Sequence, residues 1–269
     1  MTFSERFVVK PGSDVNLTER DPDNTANFDR KKQAKPVIKE NLKRLSELQY
    51  LLYAASKRAV LIVLQAMDAA GKDGTIRHVM GPLNPQSCRV VSFKAPTEEE
   101  LAHDFLWRIH RATPRKGEIG IFNRSHYEDV LIVRVRKLVE ESVWSRRYDQ
   151  INDFEKMLVS HGVHILKFYL HISKDEQLSR FRARLEDPTK HWKVNPQDFK
   201  ERRHWNDYME AYQDVLRRCS TAHAPWFVIP SNRKWFRNLA VSQILVEAMA
   251  GWNMEFPEAT CDVSKIKLE

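Results

Sequence analysis

The sequence predicts an α/β fold in which a parallel sheet is flanked by helices. Residues 59–64, Ala-Val-Leu-Ile-Val-Leu, form a continuous apolar run, which is typical of a strand buried on both faces of a parallel sheet. Further strand-like runs alternate with segments of helical periodicity, as in folds whose strands are joined by crossover helices. Hydrophobic residues make up 42% of the 269-residue chain, which is enough to build a sizeable core.

Residues 1–35 carry few periodic apolar positions and are predicted to form an irregular N-terminal arm. From Pro36 to Leu52, apolar residues recur at helical spacing, and Pro36 suits the first turn of that helix. Two later helices are expected to begin with a capping box of the Ser/Thr-x-x-Glu type, at Thr97 and Ser173. After the strand at 59–64, further strands are predicted at 89–93, 118–122, 163–172 and 226–229, and helices at 97–111, after 125, at 144–160, after 173 and at 235–249.

One stretch, between Arg180 and Ala222, interrupts this alternation. It contains no strand-like run, and Pro188 and Pro196 interrupt its helical patterns, so it is predicted to be a helical insertion. The chain is therefore predicted to consist of the arm at 1–35 and a single α/β domain at 36–269 that includes this insertion at about 180–222.

Composition limits the classes of function. There are 44 Lys and Arg residues against 36 Asp and Glu, a net charge of +8, which favours a polyanionic partner such as nucleic acid, an acidic membrane surface or phosphate-rich small molecules. The three cysteines are isolated, which argues against a disulfide framework or a cysteine-rich zinc site. No apolar run approaches the ~20 residues that span a bilayer, and the N-terminus lacks a secretory pattern, so a cytoplasmic protein is expected.

The segment 66–75, the candidate phosphate loop, follows the first buried strand and opens a helix. Gly71 and Lys72 match the Walker A pattern, but Ala66 replaces its first glycine and Asp73 stands where its hydroxyl belongs. The chain therefore departs from the strict Walker A motif at two positions.

The physical chemistry of the phosphate loop still favours a phosphate site. Its small residues, Ala69, Ala70 and Gly71, let backbone N–H groups approach an anion at a helix N-terminus. Lys72 supplies a cation for phosphates, and Asp68 supplies a hard oxygen for Mg²⁺. The alternative is an ordinary helix start with a solvated lysine.

A second polar segment follows another predicted strand. Asn123 and Arg124 come at the carboxyl end of that strand, where the residues of open α/β sheets line the ligand crevice, so both are expected to face the phosphate loop. Glu128 has two interpretations that stay open. It either completes a capping box with Ser125 at a helix start or contributes to the site.

Several strings resemble the polyphosphate kinase 2 family. They are AMDAAGKDGTI at 66–76, the segment 94–135 that ends in FNRSHYEDVLIVRV, RFRARLEDPTKHWK at 180–193, and the stretches 165–177 and 224–238, which together span nearly the whole chain. The resemblance implies a P-loop kinase-like fold with a helical lid, the insertion at about 180–222, and phosphoryl transfer between inorganic polyphosphate and nucleotides. FNRSHYED is similar to the subgroup that phosphorylates both AMP and ADP.

The resemblance also implies roles for single residues. Asp68 matches the family's loop aspartate, which ligates Mg²⁺, and Lys72 matches the Walker lysine. Arg124 matches the arginine that ends the second motif, and Arg184 matches the lid arginine expected to reach the transferring phosphate. These four are the expected catalytic residues.

Asn123 departs from the family pattern, because many members carry Asp-Arg where this chain has Asn-Arg. Asn123 offers only a neutral oxygen, so Asp68 is expected to carry more of the metal binding, with Mg²⁺ as the cofactor and Mn²⁺ as an alternative. Glu128 replaces a neutral residue of other subgroups and is expected to help set the choice of acceptor. The other expected contacts to phosphate or nucleotide are Ala69, Ala70, Gly71, Asp73, Gly74 and Thr75.

Basic residues cluster in the lid. A run of charge on a helix is often only a solvated face, but lysines and arginines in a row would hold polyphosphate as they hold a DNA backbone, by releasing counterions. The residues expected to bind polyphosphate, the basic track, are Arg180, Arg182, Lys190 and Lys193. The lid aromatics Trp192, Trp205 and Tyr208 are expected to pack between helices.

The sequence therefore predicts a Mg²⁺-dependent phosphotransferase that moves phosphoryl groups between inorganic polyphosphate and adenine nucleotides, converting AMP to ADP and ADP to ATP. The expected partners are polyphosphate, AMP, ADP and ATP, and further copies of the chain in a homo-oligomer, with no nucleic acid and no membrane. Two alternatives stay open. One is an ATP-dependent nucleotide kinase of the thymidylate-kinase type, and the other is a nucleic-acid-binding protein, suggested only by the net positive charge.

Overall fold

The computed structural model describes residues 1–266. Its strands are β1 Ala59–Gln65, β2 Cys88–Ser92, β3 Ile119–Asn123, β4 Val163–His171 and β5 Trp226–Pro230. They form one parallel sheet in the order β2-β3-β1-β4-β5. Each predicted strand is present within one residue of its expected bounds. The predicted α/β fold with a parallel sheet is confirmed.

The position of each strand in the sheet follows from its apolar content. β1 lies at the centre, hydrogen-bonded to β3 on one side and β4 on the other, and all its residues are buried. β2 lies at an edge, and none of its residues is fully buried. Because parallel strands all end at the same edge of a sheet, the segments that follow β1 and β3 are neighbours.

Helices flank the sheet. α2 packs against α11, and α7 packs against α10 and β4. The helices of the described residues are α1 Phe3–Phe7, α2 Lys31–Ala55, α3 Lys72–Thr75, α4 Glu98–Leu101, α5 Trp107–Ala112, α6 Ile132–Val135, α7 Glu141–Ser160, α8 Lys174–Leu185, α9 Pro196–Glu201, α10 Trp205–Cys219 and α11 Lys234–Ala250.

The N-terminal arm is more ordered than predicted. It begins with α1, and Val9 is fully buried and donates its amide to the Trp226 carbonyl at 2.8 Å. Val8 forms an antiparallel bridge with Phe227, so the arm covers the outer edge of β5. The reason is the apolar Phe7-Val8-Val9 run, which is too short to show a period but long enough to pair with a strand.

Three helix boundaries also differ from prediction. α2 begins at Lys31 rather than Pro36, because the Gln33 side chain accepts from the amides of Asp29 and Arg30 at 2.8 and 3.1 Å and caps an earlier turn. The helix expected at 97–111 is divided into α4 and α5, although its capping box at Thr97 is present. The helix expected after 125 is a 3₁₀ segment, His126–Val130, followed by the short α6.

The lid is helical, as predicted. It contains the second half of α8, a 3₁₀ segment at Pro188–Lys193, α9 and α10. Trp205 and Tyr208 are each 8% exposed and pack in the core as expected. Trp192 is 79% exposed, so the prediction that it packs between helices is wrong. Trp192 lies in the 3₁₀ segment that Pro188 opens, where its ring faces solvent and the Lys193 ammonium group.

A buried ion pair lies inside the sheet layer. Lys167 of β4 is fully buried and donates to the Glu155 carboxylate at 2.5 Å, to the Tyr127 hydroxyl at 2.9 Å and to the Cys219 carbonyl at 2.7 Å. Burial alone would raise the pKa of Glu155, but the Lys167 charge and a hydrogen bond from His126 outweigh it, so the pKa is lowered. The pair joins α7, β4 and the end of α10.

We expect Lys167→Met to destabilise the fold by about 3–5 kcal/mol, because it leaves the Glu155 carboxylate buried without its cation. Urea denaturation followed by circular dichroism measures the loss. The matched control is Arg44→Met, which breaks the exposed Arg44–Glu47 pair at 3.0 Å and should cost no more than about 1 kcal/mol. Equal losses in the two variants would contradict the role assigned to the buried pair.

Candidate active site

The phosphate loop leaves the carboxyl end of β1 in a tight backbone turn. Ala69 and Gly71 have left-handed φ angles of 61° and 116°, the latter a conformation that favours glycine. The Ala70 amide donates to the Met67 carbonyl at 3.2 Å, and the Thr75 amide donates to the Gly71 carbonyl at 2.9 Å, which starts α3. The first-turn amides of a helix have no intrahelical acceptor and are therefore available to an anion.

The ends of β1 and β3 meet as the sequence predicts. Leu64 and Asn123 are register partners, and the Arg124 amide donates to the Leu64 carbonyl at 3.1 Å. Arg124 has a left-handed φ of 63°. This conformation turns the chain at the strand end, and the Arg124 side chain reaches the phosphate loop.

Each carboxylate of the phosphate loop binds one of the two residues at the end of β3. Arg124 Nη2 donates to Asp68 Oδ1 at 3.1 Å, and Asn123 Nδ2 donates to Asp73 Oδ1 at 2.9 Å. Asp68, Asp73 and Asn123 thus place carboxylate and amide oxygens, the hard ligands that Mg²⁺ prefers, in one small region. Among the described residues, however, no group of three or more His, Cys, Asp and Glu side chains is arranged to hold a metal by itself.

Lys72 is directed back over the loop. Its Nζ donates to the Ala66 carbonyl at 2.9 Å. Burial lowers the pKa of Lys72, the Arg124 charge adds to this effect, and the carboxylates of Asp68, Glu128 and Asp73 oppose it. A phosphate in the loop would replace one backbone carbonyl by an anionic ligand for this lysine.

Glu128 faces the site, and the capping interpretation is wrong. Ser125 Oγ accepts from the Tyr127 amide at 3.2 Å, while the Glu128 carboxylate accepts from Gln65 Nε2 at 3.2 Å. Burial by itself would lower the pKa of Arg124. The negative charges of Glu128 and, next, Asp68 outweigh burial and raise this pKa. Gln65 was not among the residues predicted, since the last residue of an apolar strand gives no signal of its own.

Arg184 lies in the last turn of α8, where its Nη1 is 3.6 Å from Asp198 Oδ2 of α9. Burial, and next the charge of Asp68, raise the pKa of Asp198 to about 6, while Arg184 opposes the shift. Lid and phosphate loop therefore share one electrostatic region. Asp198 was missed because Asn195-Pro196-x-Asp198 reads as an ordinary helix start.

Arg180 is buried and does not form part of a polymer-binding surface. It is 8% exposed, because it faces the phosphate loop across the inner side of α8. Its five N–H groups donate to Glu176 Oε1 at 2.8 Å, to the carbonyls of Ala69 and Ala70 at 2.9 Å each, and to the carbonyls of Ser231 and Asn232 at 2.6 and 2.8 Å. With every donor used, the prediction that Arg180 binds polyphosphate is wrong.

The other members of the basic track are exposed. Arg182 lies two residues from Arg180, about 200° around the helix, so it points to the opposite side of α8 from the phosphate loop. Lys190 Nζ is 2.6 Å from Asp187 Oδ2, and Lys193 Nζ lies 4.8 Å from the centre of the Trp192 ring. Exposed cations of this kind are accessible to a polyanion, so the expectation that these three residues bind polyphosphate stays a prediction.

Three expected phosphate contacts support the loop from inside. Thr75 and Ala70 are fully buried, and Thr75 Oγ1 donates to the Gly71 carbonyl at 3.1 Å. Gly74 lies against the guanidinium of Arg237, a residue of α11 that the sequence did not single out. The buried side chains of Thr75 and Ala70 therefore support the loop from inside, and contact of their backbone with phosphate stays a prediction.

None of the helices within residues 1–266 combines the length and the apolar content needed to cross a bilayer.

The chain is similar to known proteins over almost its full length. It is 52% identical over 266 residues to the AMP/ADP-polyphosphate phosphotransferase of Meiothermus ruber, covering 98% of this chain and 100% of that protein. It is 45% identical to the ADP-polyphosphate phosphotransferase of Rhodopseudomonas palustris, covering 96% of this chain and 93% of the other.

Structure and family model agree with these relatives. The crystal structure of polyphosphate kinase 2 from Arthrobacter aurescens superposes with a TM-score of 0.94 at 43% identity, covering 98% of this chain and 94% of that one. The family model described as polyphosphate kinase 2 matches residues 27–257. The chain belongs to the polyphosphate kinase 2 family.

Proposed function

We propose that this protein is a polyphosphate kinase that transfers phosphoryl groups between inorganic polyphosphate and adenine nucleotides, phosphorylating AMP to ADP and ADP to ATP. The observation that carries the proposal is the near-complete similarity to a relative named for both acceptors, at 52% identity. These relatives do not favour an ATP-dependent nucleotide kinase or a nucleic-acid-binding protein. We further propose a cytoplasmic homo-oligomer that acts without nucleic acid or membrane.

The residues around the phosphate loop suit an in-line phosphoryl transfer. Such a transfer needs positioning and charge neutralisation rather than a covalent intermediate, because its transition state is loose. Lys72 and Arg124 are both cations that contact the loop, through the Ala66 carbonyl and Asp68, and both are partly withdrawn from water. In the proposed mechanism they hold the transferring phosphoryl group, and Arg184 approaches it from the lid.

The donor set of the loop fits a divalent ion, Mg²⁺ or Mn²⁺. Asp68 would be the charged ligand and Asn123 a neutral one, after Asn123 releases Asp73. A bound divalent ion would neutralise part of the phosphate charge. Asp68 also orients Arg124 by the 3.1 Å hydrogen bond, so its carboxylate serves two cations at once.

Glu128 is the proposed determinant of acceptor choice. Its carboxylate accepts a hydrogen bond from Gln65 Nε2 at 3.2 Å, and its negative charge helps to raise the pKa of Arg124. A carboxylate at this point accepts hydrogen bonds and repels phosphate. It would therefore favour donor groups of the acceptor nucleotide over a further phosphate at the same place.

The direct test of this function is product analysis after incubation of the protein with AMP, long-chain polyphosphate and Mg²⁺. We expect ADP to form first and ATP afterwards, measured by ion-exchange chromatography. Parallel reactions omit polyphosphate or contain EDTA, and neither should give product. A product that forms only when ATP replaces polyphosphate as the donor would instead establish a nucleotide kinase.

The basic track makes a separate prediction that depends on salt. Lys190→Ala and Lys193→Ala should each raise the KM for polyphosphate and reduce the slope of log affinity against log salt by about 0.7–0.9, by analogy with nucleic-acid backbones. Arg184→Ala should lower kcat with little change in that KM, because its partner is the phosphoryl group in flight. Lys39→Ala, an exposed lysine of α2, is the control. If both lid lysines keep the wild-type KM and slope, the track is only a solvated surface.

A further inference from the structure

Two buried arginines meet beneath the phosphate loop, and the proposed chemistry accounts for neither. Arg180 comes from α8 and Arg237 from α11, the two residues are 57 positions apart in the chain, and Arg237 is 2% exposed. Both bind the same atom, because Arg180 Nη1 and Arg237 Nη1 donate to the Ala70 carbonyl at 2.9 and 3.2 Å. One backbone carbonyl of the loop thus receives two guanidinium groups.

Arg237 is a buried cation with little compensation. Its other hydrogen bonds run from Nε and Nη2 to the Asn238 side chain, at 3.2 and 2.8 Å, and no carboxylate of residues 1–266 forms an ion pair with it. Burial, and next the charge of Arg180, lower the pKa of Arg237 to about 10. Burying an unpaired cation costs free energy unless negative charge lies nearby. The structure next to Arg237 is the phosphate loop, and a phosphate bound there would supply that charge.

The close approach of Arg237 explains two glycines of the phosphate loop. A Cβ atom on Gly71 would lie 1.7 Å from Arg237 Nη1, and one on Gly74 would lie 2.9 Å from Nη2. Gly71 also needs its φ of 116°, but Gly74 has no such conformational demand. The three atoms nearest to a Cβ on Gly74 all belong to the Arg237 guanidinium. The absence of a side chain at position 74 therefore leaves room for the arginine.

The peptide bond connects these contacts to the ligand side of the loop. A trans peptide directs its C=O and its N–H to opposite sides, so holding the Ala70 carbonyl on the arginines turns the Gly71 amide away from them. Within residues 1–266 that amide donates to no backbone acceptor. It is free to donate to an anion on the far side of the loop.

We propose that Arg237, together with Arg180, is a positioning residue for phosphoryl transfer: the two guanidinium groups fix the Ala70 carbonyl, aim the Gly71 amide at the bound phosphate, and add positive potential from beneath the loop. The expected effect of Arg237 on turnover rests on the proposed function. The expected effect of Arg237 on anion binding depends only on the geometry of the loop.

The test compares Arg237→Gln, which removes the charge and keeps a hydrogen-bond donor, with Arg237→Lys, which keeps the charge without the planar fork. Arg58→Gln is the matched control, because Arg58 also donates to a backbone carbonyl, that of Trp252 at 2.7 Å, but near the amino end of β1. Calorimetry measures the binding of tripolyphosphate without nucleotide. Steady-state kinetics with AMP and polyphosphate measure turnover.

We expect Arg237→Gln to weaken tripolyphosphate binding on the order of tenfold and to lower kcat about 10²-fold, since a small misplacement at the reacting group is costly. Arg237→Lys should recover part of the binding affinity and less of the rate. Wild-type binding and wild-type kcat in Arg237→Gln, with only the melting temperature changed, would show that the arginine is structural and would overturn the proposal. A wild type that binds tripolyphosphate but makes no ADP would overturn the proposed function and leave the binding comparison intact.

A second variant keeps the test valid if Arg237→Gln does not fold. Gly74→Ala leaves the arginine in place and adds a methyl group that displaces its far end. We expect it to weaken tripolyphosphate binding in the wild-type background and to have no further effect in the Arg237→Lys background. Equal effects in the two backgrounds would mean that the methyl group acts without the arginine, and the proposal would fail.

Discussion

The parallel pairing of β1 on both of its sides is the constraint on which the rest of the molecule depends. β1 is buried along its whole length, and its register with β3 sets Leu64 beside Asn123. The segment that follows β1 must therefore turn away at the place where β3 also ends. The meeting of the phosphate loop with Asn123 and Arg124 follows from this pairing, and so do the hydrogen bonds of Asp68 and Asp73 to these two residues.

Two sets of contacts hold the phosphate loop, one through its own carboxylates and the other through its backbone carbonyls. Above it, Asp68 and Asp73 bind Arg124 and Asn123. Beneath it, Arg180 and Arg237 take the carbonyls that the tight turn leaves inside the protein. Because buried carbonyls need donors, and these donors carry charge, the same contacts satisfy the backbone and bring cations close to a phosphate site.

The lid connects to this arrangement through α8. Its inner side carries Arg180, whose five donors are all used by the phosphate loop, Glu176 and the segment after β5. One turn later the same helix carries Arg184, whose Nη1 atom lies 3.6 Å from Asp198 Oδ2. The first of these two arginines thus joins α8 to the phosphate loop, and the second faces α9 of the lid.

Sequence reasoning predicted what depends on local patterns and on the geometry of parallel sheets. The apolar runs located the strands, and the rule that parallel strands end together placed Asn123 and Arg124 at the loop. It did not predict contacts between residues distant in the chain. Arg180 was predicted to bind polyphosphate with the rest of the basic track, because its sequence neighbours give no sign of its carbonyl partners at Ser231 and Asn232. Gln65, Asp198 and Arg237 carry no motif, because their importance comes only from what the fold brings beside them.

The central claim is that phosphoryl transfer takes place at the loop that follows β1. The most direct measurement is kcat/KM for Lys72→Met with polyphosphate and AMP, compared with Lys57→Met, which removes an exposed lysine just before the amino end of the same strand. The account predicts a loss of about 10²–10³ for Lys72→Met, as for other groups that stabilise charge in the transition state, and no change for Lys57→Met. Activity of Lys72→Met within about threefold of the wild type, well inside that expected loss, would contradict the account.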